Sequence, residues 1–329
     1  MKYVYVILYL WISVSCESLI KNKDVKIEDE VTLSSDTSVD DMVKLLDSAK
    51  KVTSKEDLIG NWVGWFLKEN HEENRYTDDK NVYVDEGFSW GRENKICLTI
   101  YKIADGKVYG RSVVAGNNRS FQGEFIEEQE FFKITAKEPG DNKYDGSFQI
   151  EIRKNTDQLN GTWSAFHNIE IPKRVYTLTK KVFVYNPNQM LSKEDHKRYI
   201  DWEKKSKSKK YYNDLSEEEA DFEENISSEF VSATDKIYEI NASTMLLKTS
   251  DVENLMKGDL FIIRNMIYAR HGYSFHNRPL RVFFDAQDWY IPMHTNIKSD
   301  LSDIEKKNIQ LLLRYEKNAK EYYDYFGRG

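Results

Sequence analysis

The sequence predicts an α+β protein of several domains: an N-terminal antiparallel up-and-down β-barrel of about eight strands, a charged helical linker and a small three-helix domain. From Leu58 to Tyr185 apolar residues alternate with polar ones, which is the period of half-buried strands, and tight-turn residues separate the segments. From Asp235 onward the apolar spacing is that of helices. A charge-dense segment lies between the two patterns.

Composition is typical of a folded protein and argues against generic nucleic-acid binding. The chain has 329 residues, of which 40% are hydrophobic, so it is long enough for two buried cores. Its net charge of −7 would repel a phosphate backbone, and we expect no nucleic-acid partner. No cysteine, histidine and acidic residues stand at metal-ligand spacing and no phosphate-binding glycine loop occurs, so neither a metal nor a cofactor is expected.

The first residues predict the compartment. Residues 3–14 form an apolar run that is too short to span a bilayer and is typical of a signal peptide. Ser13 and Ser15 then precede Cys16, which resembles the cleavage site of bacterial lipoproteins. This resemblance implies that Cys16 is diacylated and anchors the chain by lipid in the bacterial cell envelope, on its periplasmic or cell-surface face. An ordinary secretory signal is the alternative.

Changes of pattern give the predicted boundaries. We expect a signal peptide (1–15), a tether with a short helix (16–55), the barrel (56–186), the linker (187–235), the helical domain (236–318) and a tail (319–329). The tether helix is predicted at Ser38–Lys51. If Cys16 carries lipid, Cys97 has no partner for an internal disulfide, and its strand context indicates a small buried hydrophobe.

Two Gly-x-Trp tripeptides fall within the predicted barrel. Trp62 lies in the first strand and Trp163 in the seventh. Gly-x-Trp in an opening strand resembles the lipocalins and related calycins, in which the tryptophan plugs one end of the barrel. The resemblance implies a carrier of a small ligand, with Trp62 and Trp163 as barrel plugs. Alternatively both rings fill a core that binds nothing, since no convergent polar residues mark a pocket.

The tripeptide Arg270-His271-Gly272 has two interpretations. In histidine phosphatases the same residues follow a buried strand, and the histidine accepts a phosphoryl group. Here Ser250–Glu253 has the form of a capping box, and Leu260, Ile263 and Ile267 repeat at helical spacing until a glycine that suits a helix end. The sequence therefore favours a helix terminus, and we predict no catalytic residue. A hydrolase of unknown substrate is kept as a minor alternative.

Two further helices complete the predicted bundle. Pro279 suits the first turn of a short helix, which has three large apolar residues on one side: Leu280, Phe283 and Phe284. Ser302–Glu305 is a second capping box. The helix that follows it has an apolar side made of Ile304, Leu311, Leu312 and Tyr315.

Residues 264–292, with the second capping box, are similar to the YARHG domain, a family of small bacterial extracytoplasmic modules named for the residues found here at 268–272. The resemblance implies a module without established activity that has been suggested to bind peptidoglycan. We therefore expect a non-enzymatic envelope lipoprotein, with the membrane as partner through its lipid and peptidoglycan or an envelope protein as a further partner. The motif residues are Arg264, Asn265, Tyr268, Arg270, His271, Gly272, Phe275, Trp289 and Tyr290.

The polar motif residues could either bind a ligand or hold the fold together. Arg264, Tyr268 and His271 share one helix face, with Asn265 beside them, and such a face could bind a sugar or a carboxylate. Alternatively they hydrogen-bond to the loops at 273–277 and 289–294 and fix the packing of the helices. The packing role is the favoured interpretation.

Overall fold

The computed structural model describes residues 51–69, 83–84, 87–88, 92–192, 209–210, 226–227 and 233–322. These residues all belong to one compact unit, Val39–Gly329. The predicted signal peptide with Cys16, the predicted helix at Ser38–Lys51 except for its last residue, and most of the predicted charged helical linker lie outside the described residues. Among the described helices, none is both long and apolar enough to cross a membrane.

Eight strands close into an antiparallel barrel, which confirms the prediction from the alternating pattern. The barrel strands pair in chain order, and the first closes the ring between the second and the last; two further pairs of two-residue strands form separate ribbons. The strands are β1 (Gly60–Lys68), β2 (Tyr83–Val84), β3 (Gly87–Phe88), β4 (Asn94–Ala104), β5 (Lys107–Val114), β6 (Asn117–Glu127), β7 (Phe131–Lys137), β8 (Gly146–Arg153), β9 (Gln158–Ala165), β10 (Lys173–Lys181), β11 (Lys209–Lys210) and β12 (Ile226–Ser227).

Tight turns set the register of the first two barrel hairpins. Asp105 and Gly106 both have positive φ, as a two-residue hairpin turn requires. The next turn is centred on Ala115 and Gly116, with φ of 51° and 79°. Its position matters because the Gly116 amide donates to Ser274 Oγ at 2.9 Å, so this turn contacts the helical domain.

Side chains fill one end of the barrel. Trp62 is fully buried, and its Nε1 donates to the Leu58 carbonyl oxygen at 2.9 Å. Leu58 ends a 3₁₀ helix, Glu56–Leu58, that leads into β1. The middle of the barrel holds large apolar side chains: Leu98, Ile100, Phe121, Phe132, Ile134, Ile150, Ile152 and Leu159. Trp62 therefore plugs the end where the chain enters the barrel.

The C-terminal region is helical, as predicted. A 3₁₀ helix (Asp235–Tyr238) precedes four α-helices: α1 (Thr249–Val252), α2 (Lys257–Arg270), α3 (Arg278–Asp285) and α4 (Asp303–Tyr322). The residues predicted to form buried stripes on α2 and α3 are all buried in one core: Leu260, Ile263, Ile267, Leu280, Phe283 and Phe284.

The long helix predicted to start at Ser250 is divided in two. α1 ends at Val252, and α2 begins only at Lys257. Asp259 starts α2, because its carboxylate accepts from the Met256 amide at 3.1 Å and from the Thr234 amide at 2.6 Å. The prediction that Ser250–Glu253 caps the long helix was therefore wrong; Asp259 inside α2 instead accepts from the amide of Met256, the residue before the helix.

The buried side of α4 is shifted from its predicted position. The capping box Ser302–Glu305 is confirmed, with amide-to-side-chain hydrogen bonds of 2.9 and 3.2 Å. However, Ile304 is 37% exposed, whereas Glu305 and Asn308 are fully buried. Asn308 satisfies its amide by donating to two backbone carbonyls of the segment before α1, both at 2.7 Å. Polar side chains thus occupy part of the face that was predicted to be apolar.

The helical domain packs against the outer wall of the barrel. Val63 and Cys97 point outward from β1 and β4 and contact Ile291 and Met293, with Phe183 beside them. Burial raises the pKa of the Cys97 thiol to about 12, so this cysteine is an unreactive packing residue, as predicted.

Lys95 on β4 fastens the two domains at the same wall. Its backbone amide donates to Asp285 Oδ2 at 2.8 Å. Its ammonium group donates to the carbonyl oxygens of Gln287 at 2.7 Å and Tyr290 at 3.0 Å. These two carbonyl oxygens belong to the segment that follows α3, so the ammonium group holds that segment against the barrel.

Candidate functional site

Arg270 ends α2 with its guanidinium buried between the domains. Its Nε donates to the Gln189 carbonyl oxygen at 2.7 Å, and its Nη1 donates to Ser243 Oγ at 3.0 Å. Only 3% of the residue is exposed. Burial lowers the pKa of Arg270 to about 10, and the neighbouring Tyr185 and Glu305 counteract that decrease. The guanidinium remains charged at neutral pH and holds the segment that leaves the barrel.

His271 is also buried, at 6% exposure, and pairs with an acid of α4. Its Nε2 lies 3.0 Å from Glu305 Oε2. Burial by itself would raise the pKa of Glu305, but hydrogen bonds from His271 and the Ser302 amide outweigh it and lower the pKa to about 2. Glu305 is therefore a carboxylate, an acceptor only, and His271 must donate to it.

Tyr185, four residues beyond β10, completes this cluster. Its ring stacks on the His271 imidazole with centroids 4.2 Å apart, and its hydroxyl donates to Glu305 Oε1 at 2.9 Å. Burial and the nearby Glu305 carboxylate raise the pKa of Tyr185 to about 12. The phenol thus stays protonated and can donate.

Gly272 makes the close approach of these segments possible. Its φ of 67° is left-handed, and the Tyr273 amide donates to the Tyr268 carbonyl oxygen at 3.0 Å to close the helix, as the sequence predicts. A side chain at Gly272 would place its Cβ 2.9 Å from the Ile291 carbonyl oxygen and from the Phe183 ring. Glycine is required there by both conformation and space.

The other polar residues of the motif face α4 or their own helix. Arg264 makes two hydrogen bonds to the Glu316 carboxylate, at 2.8 and 3.1 Å. Asn265 donates its Nδ2 to the Phe261 carbonyl oxygen at 2.8 Å. Tyr268 is half-buried, and its ring packs on that of Tyr273. The partners of the polar face thus include α4 rather than only the two loops expected from the sequence.

The aromatic motif residues form the core of the helical domain. Phe275 stacks on Phe284 with centroids 4.9 Å apart. The Tyr290 hydroxyl donates to the Tyr273 carbonyl oxygen at 2.6 Å. Trp289 packs against Tyr290, and its buried Nε1 has no hydrogen-bond partner among the described residues. All three rings are therefore placed to support packing.

A second candidate site is a cavity of about 540 Å³ at the end of the barrel opposite Trp62. Its inner wall consists of apolar side chains that point into the barrel, among them Phe66, Phe148 and Trp163. Its outer wall includes three residues of the helical domain: His276, Arg278 and Arg281. The volume lies within the range of about 300–1,000 Å³ that is usual for small-ligand sites.

Glu138 is a buried carboxyl group in the cavity wall. Its Oε1 accepts from Ser112 Oγ at 2.7 Å, and its Oε2 accepts from the Gly146 amide at 2.8 Å and from Trp163 Nε1 at 3.2 Å. Burial raises the pKa of Glu138, and these hydrogen bonds partly oppose the increase. Trp163 is thereby fixed at the open end of the barrel, where it lines the cavity without filling it.

Arg174 is a half-buried cation of the cavity wall. Its Nη1 donates to the carbonyl oxygens of Phe66 and Arg92, both at 2.9 Å, and its guanidinium lies 5.0 Å from the Phe66 ring centroid. Burial and then the positive charge of Arg281 lower the pKa of Arg174 to about 10. Arg92 is ion-paired with Glu170 at the rim. The guanidinium groups of Arg174 and Arg281 are thus close enough to repel each other in a partly buried site.

Sequence reasoning placed Trp163 in the barrel but did not identify the cavity. The lining residues come from separate strands, from the loop after β9 and from the start of α3, and no local spacing connects them. Tyr185 and Ser243, which contact the Arg-His-Gly residues, were missed for the same reason. Glu305 had one available signal, its place in the second capping box. Among the described residues, no group of histidine, cysteine and acidic side chains is arranged to hold a metal ion.

Comparison with known families identifies the helical region. Residues 236–317 match the YARHG domain, so the chain contains a YARHG domain there, and the resemblance noted from the sequence is confirmed. No curated protein matched the chain. No solved structure matched it either. The eight-stranded barrel before the domain fits a calycin-like fold by its topology.

Proposed function

We propose that this chain, whose residues 236–317 form a YARHG domain, is a non-catalytic binding protein of the bacterial cell envelope. Its ligand site in this proposal is the cavity at the barrel mouth. The observation that carries the proposal is that the barrel is packed at the Trp62 end yet leaves about 540 Å³ free at the other, where side chains of the YARHG domain complete the wall.

An unpaired polar atom in the cavity wall supports the same site. Asn94 is 5% exposed, and its Oδ1 accepts no hydrogen bond from a described residue. A buried acceptor without a partner is destabilising, and such atoms in native proteins are usually satisfied by water or a bound molecule. A ligand that carries a donor, or a water molecule bound beside the ligand, would supply the missing hydrogen bond.

The Arg-His-Gly residues are not the ligand site in this proposal. Arg270 and His271 are 3% and 6% exposed, and both already bind groups of the protein itself. Contact of the YARHG domain with peptidoglycan or with an envelope protein stays a prediction. If it occurs, it would use a surface other than these two side chains.

The envelope location rests on the N-terminal sequence. The apolar run at 3–14, followed by Ser15 and Cys16, predicts export and lipidation. Labelling of the expressed protein with radioactive palmitate would test this, with Cys16→Ser as the control that should remain unlabelled and soluble. An unlabelled native chain would overturn the anchor.

In the hydrolase alternative the candidate in the cavity wall is Glu138, a buried carboxyl group with a raised pKa. Both of its oxygens already accept hydrogen bonds from the barrel, which favours a structural role. Turnover of phosphate or glycan substrates that disappears in Glu138→Gln would support catalysis over binding.

Binding at the mouth can be tested with the fluorescent probe anilinonaphthalene sulfonate and the full chain. Val114 lines the cavity, and the larger side chain of Val114→Phe should narrow it. Ile126 is 54% exposed, so Ile126→Phe is a control that introduces the same ring on the outer surface. We expect saturable binding to the native chain and to Ile126→Phe, and clearly weaker binding to Val114→Phe. Equal binding to all three would show that the mouth is not the site.

A further inference from the structure

We infer that the cavity takes an amphipathic anion: a carboxylate or phosphate head held by cations of both domains, with an apolar body inside the barrel mouth. This inference rests on the proposed function, because it names the ligand class of the same cavity. It goes beyond a carrier role because it states that cations of both the barrel and the YARHG domain bind the head group of the ligand.

Most of the charged side chains that line the cavity are basic, although the chain as a whole has a net negative charge. The chain carries a net charge of −7. The cavity lining nevertheless contains two glutamates, Glu138 and Glu170, against five basic side chains: Arg92, Lys143, Arg174, Arg278 and Arg281. A concentration of cations in a concave site with low-dielectric walls attracts and binds anions.

The charge around the cavity stays positive when the acidic residues that lie near these cations are counted. Glu170 is paired with Arg92. Glu93 and Asp285 lie near enough to influence Arg174 and Arg281, respectively. Burial raises the pKa of Asp285 to about 7, so its carboxyl is only partly ionised at neutral pH. These acids therefore do not neutralise the whole group.

Two cations at the rim are available to a ligand. Arg278 and Lys143 are exposed, and neither makes an ion pair with a described residue. Lys143 belongs to the loop between β7 and β8, and Arg278 starts α3, so the two domains each contribute one. A planar guanidinium can bind a carboxylate or a phosphate through two hydrogen bonds.

The apolar half of the site lies behind these cations. Phe66, Phe148 and Trp163 present ring surfaces to the cavity, together with Ile96 and Val114. Each of these side chains belongs to a barrel strand and points into the barrel, so the depth of the site is fixed by the sheet. Burial of a ligand chain against them would supply the hydrophobic part of the binding energy. A free inorganic anion would leave this surface unused.

The test is calorimetric titration of the full chain with four soluble probes of equal chain length: octanoate, octyl phosphate, octanamide and octylamine. Inorganic phosphate serves as a head group without a body. We expect at least about tenfold tighter binding of an anionic probe than of octanamide, and weaker binding at high salt. Preference for octanoate or for octyl phosphate would identify the head group.

Two variants test whether the cation that the YARHG domain contributes to the cavity rim binds the anionic head group. Arg278→Gln should weaken octanoate binding about fivefold, since an exposed ion pair contributes up to about 1 kcal/mol, and leave octanamide unaffected. Lys307→Gln removes an exposed cation of α4 that does not line the cavity, and it should leave octanoate binding unchanged.

The outcomes separate this inference from the proposed function. If octanamide or octylamine binds as tightly as the anions, and Val114→Phe weakens that binding, the site exists and the anionic head is wrong. If inorganic phosphate binds as tightly as octyl phosphate, the apolar body is wrong. If none of the octyl probes binds, both the ligand class and the cavity as a site for such ligands are overturned.

Discussion

His271 Nε2 lies 3.0 Å from Glu305 Oε2, and this hydrogen bond joins the last turn of α2 to the first turn of α4. Tyr185, from the segment after the barrel, contacts both residues. The signature histidine is therefore at a junction of three segments rather than at an open surface. Its partners explain why the YARHG domain and the barrel form one unit.

Replacing Glu305 should weaken this junction strongly. Glu305→Gln loses the charge that His271, Tyr185 and the Ser302 amide all bind, and breaking one partner of a buried charged group costs about 3 kcal/mol. Urea unfolding followed by tryptophan fluorescence would measure it. Asp303→Asn, at an exposed neighbouring position of the same helix turn, should change stability by less than about 0.5 kcal/mol. Equal losses in the two variants would contradict the assignment.

Because Glu305 must be ionised to stabilise the junction, the stability of the fold should decrease at acidic pH. The pKa of Glu305 is lowered in the folded state from its ordinary 4.5 to about 2. Its stabilising contribution is therefore fully present above pH 4.5 and is lost as the pH falls towards 2. Glu305→Gln should have a flatter stability profile in that window, measured by thermal melting at each pH. An unchanged slope would mean that another acid dominates.

Tyr185 should stabilise the junction in two separable ways. Tyr185→Phe keeps the ring that stacks on His271 and removes only the hydroxyl bond to Glu305, so we expect a loss of about 1 kcal/mol. Tyr185→Ala also removes the ring and should lose about 3 kcal/mol or more. Chemical denaturation of both variants tests the order. A larger loss for the phenylalanine variant would be incompatible with the stacked geometry.

Gly272→Ala should destabilise the protein more than the same change at another left-handed glycine. Gly106 has a φ of 68°, close to the 67° of Gly272, but a Cβ there would meet nothing within 4 Å. Gly106→Ala therefore reports the backbone strain alone, about 1 kcal/mol. Gly272→Ala adds the close contact with the Ile291 carbonyl and should lose clearly more. Similar melting temperatures for the two variants would argue against the contact.

Arg270→Ala with His271→Ala should lower the melting temperature of the full chain by about 5 °C or more, because buried hydrogen bonds to Gln189, Ser243 and Glu305 are lost together. The same samples should be incubated with isolated cell wall. Normal melting combined with lost retention on the wall would instead assign these residues to binding.

Asp285 should make the stability of the fold decrease as the pH rises towards neutrality. Burial raises its pKa from 3.8 to about 7, so the folded state keeps a proton that the unfolded state loses. Stability attributable to this group is therefore present below pH 3.8 and declines as the pH rises to about 7. Asp285→Asn can still accept from the Lys95 amide and should remove this decline. Urea unfolding between pH 4 and pH 8 would measure the free energy of unfolding of both proteins. The same decline in the variant as in the native chain would contradict this assignment.

Sequence patterns predicted the features that depend on neighbouring residues. Alternation gave all eight barrel strands, because a half-buried strand exposes every second side chain. The Ser302–Glu305 box and Gly272 gave one helix start and one helix end, since each is a local backbone interaction. The break between α1 and α2 was missed because Asp259 also binds Thr234, 25 residues away.

By itself, the sequence determined the barrel, the helical domain, the family of that domain and the end of α2 at the signature. The tertiary structure alone decided what the signature residues touch: Arg270 and His271 bind Gln189, Ser243 and Glu305. It also decided that cations from separated segments meet around an apolar cavity. The physical reason is that strand and helix periods are set over a few residues, whereas burial and ion pairing depend on which surfaces meet.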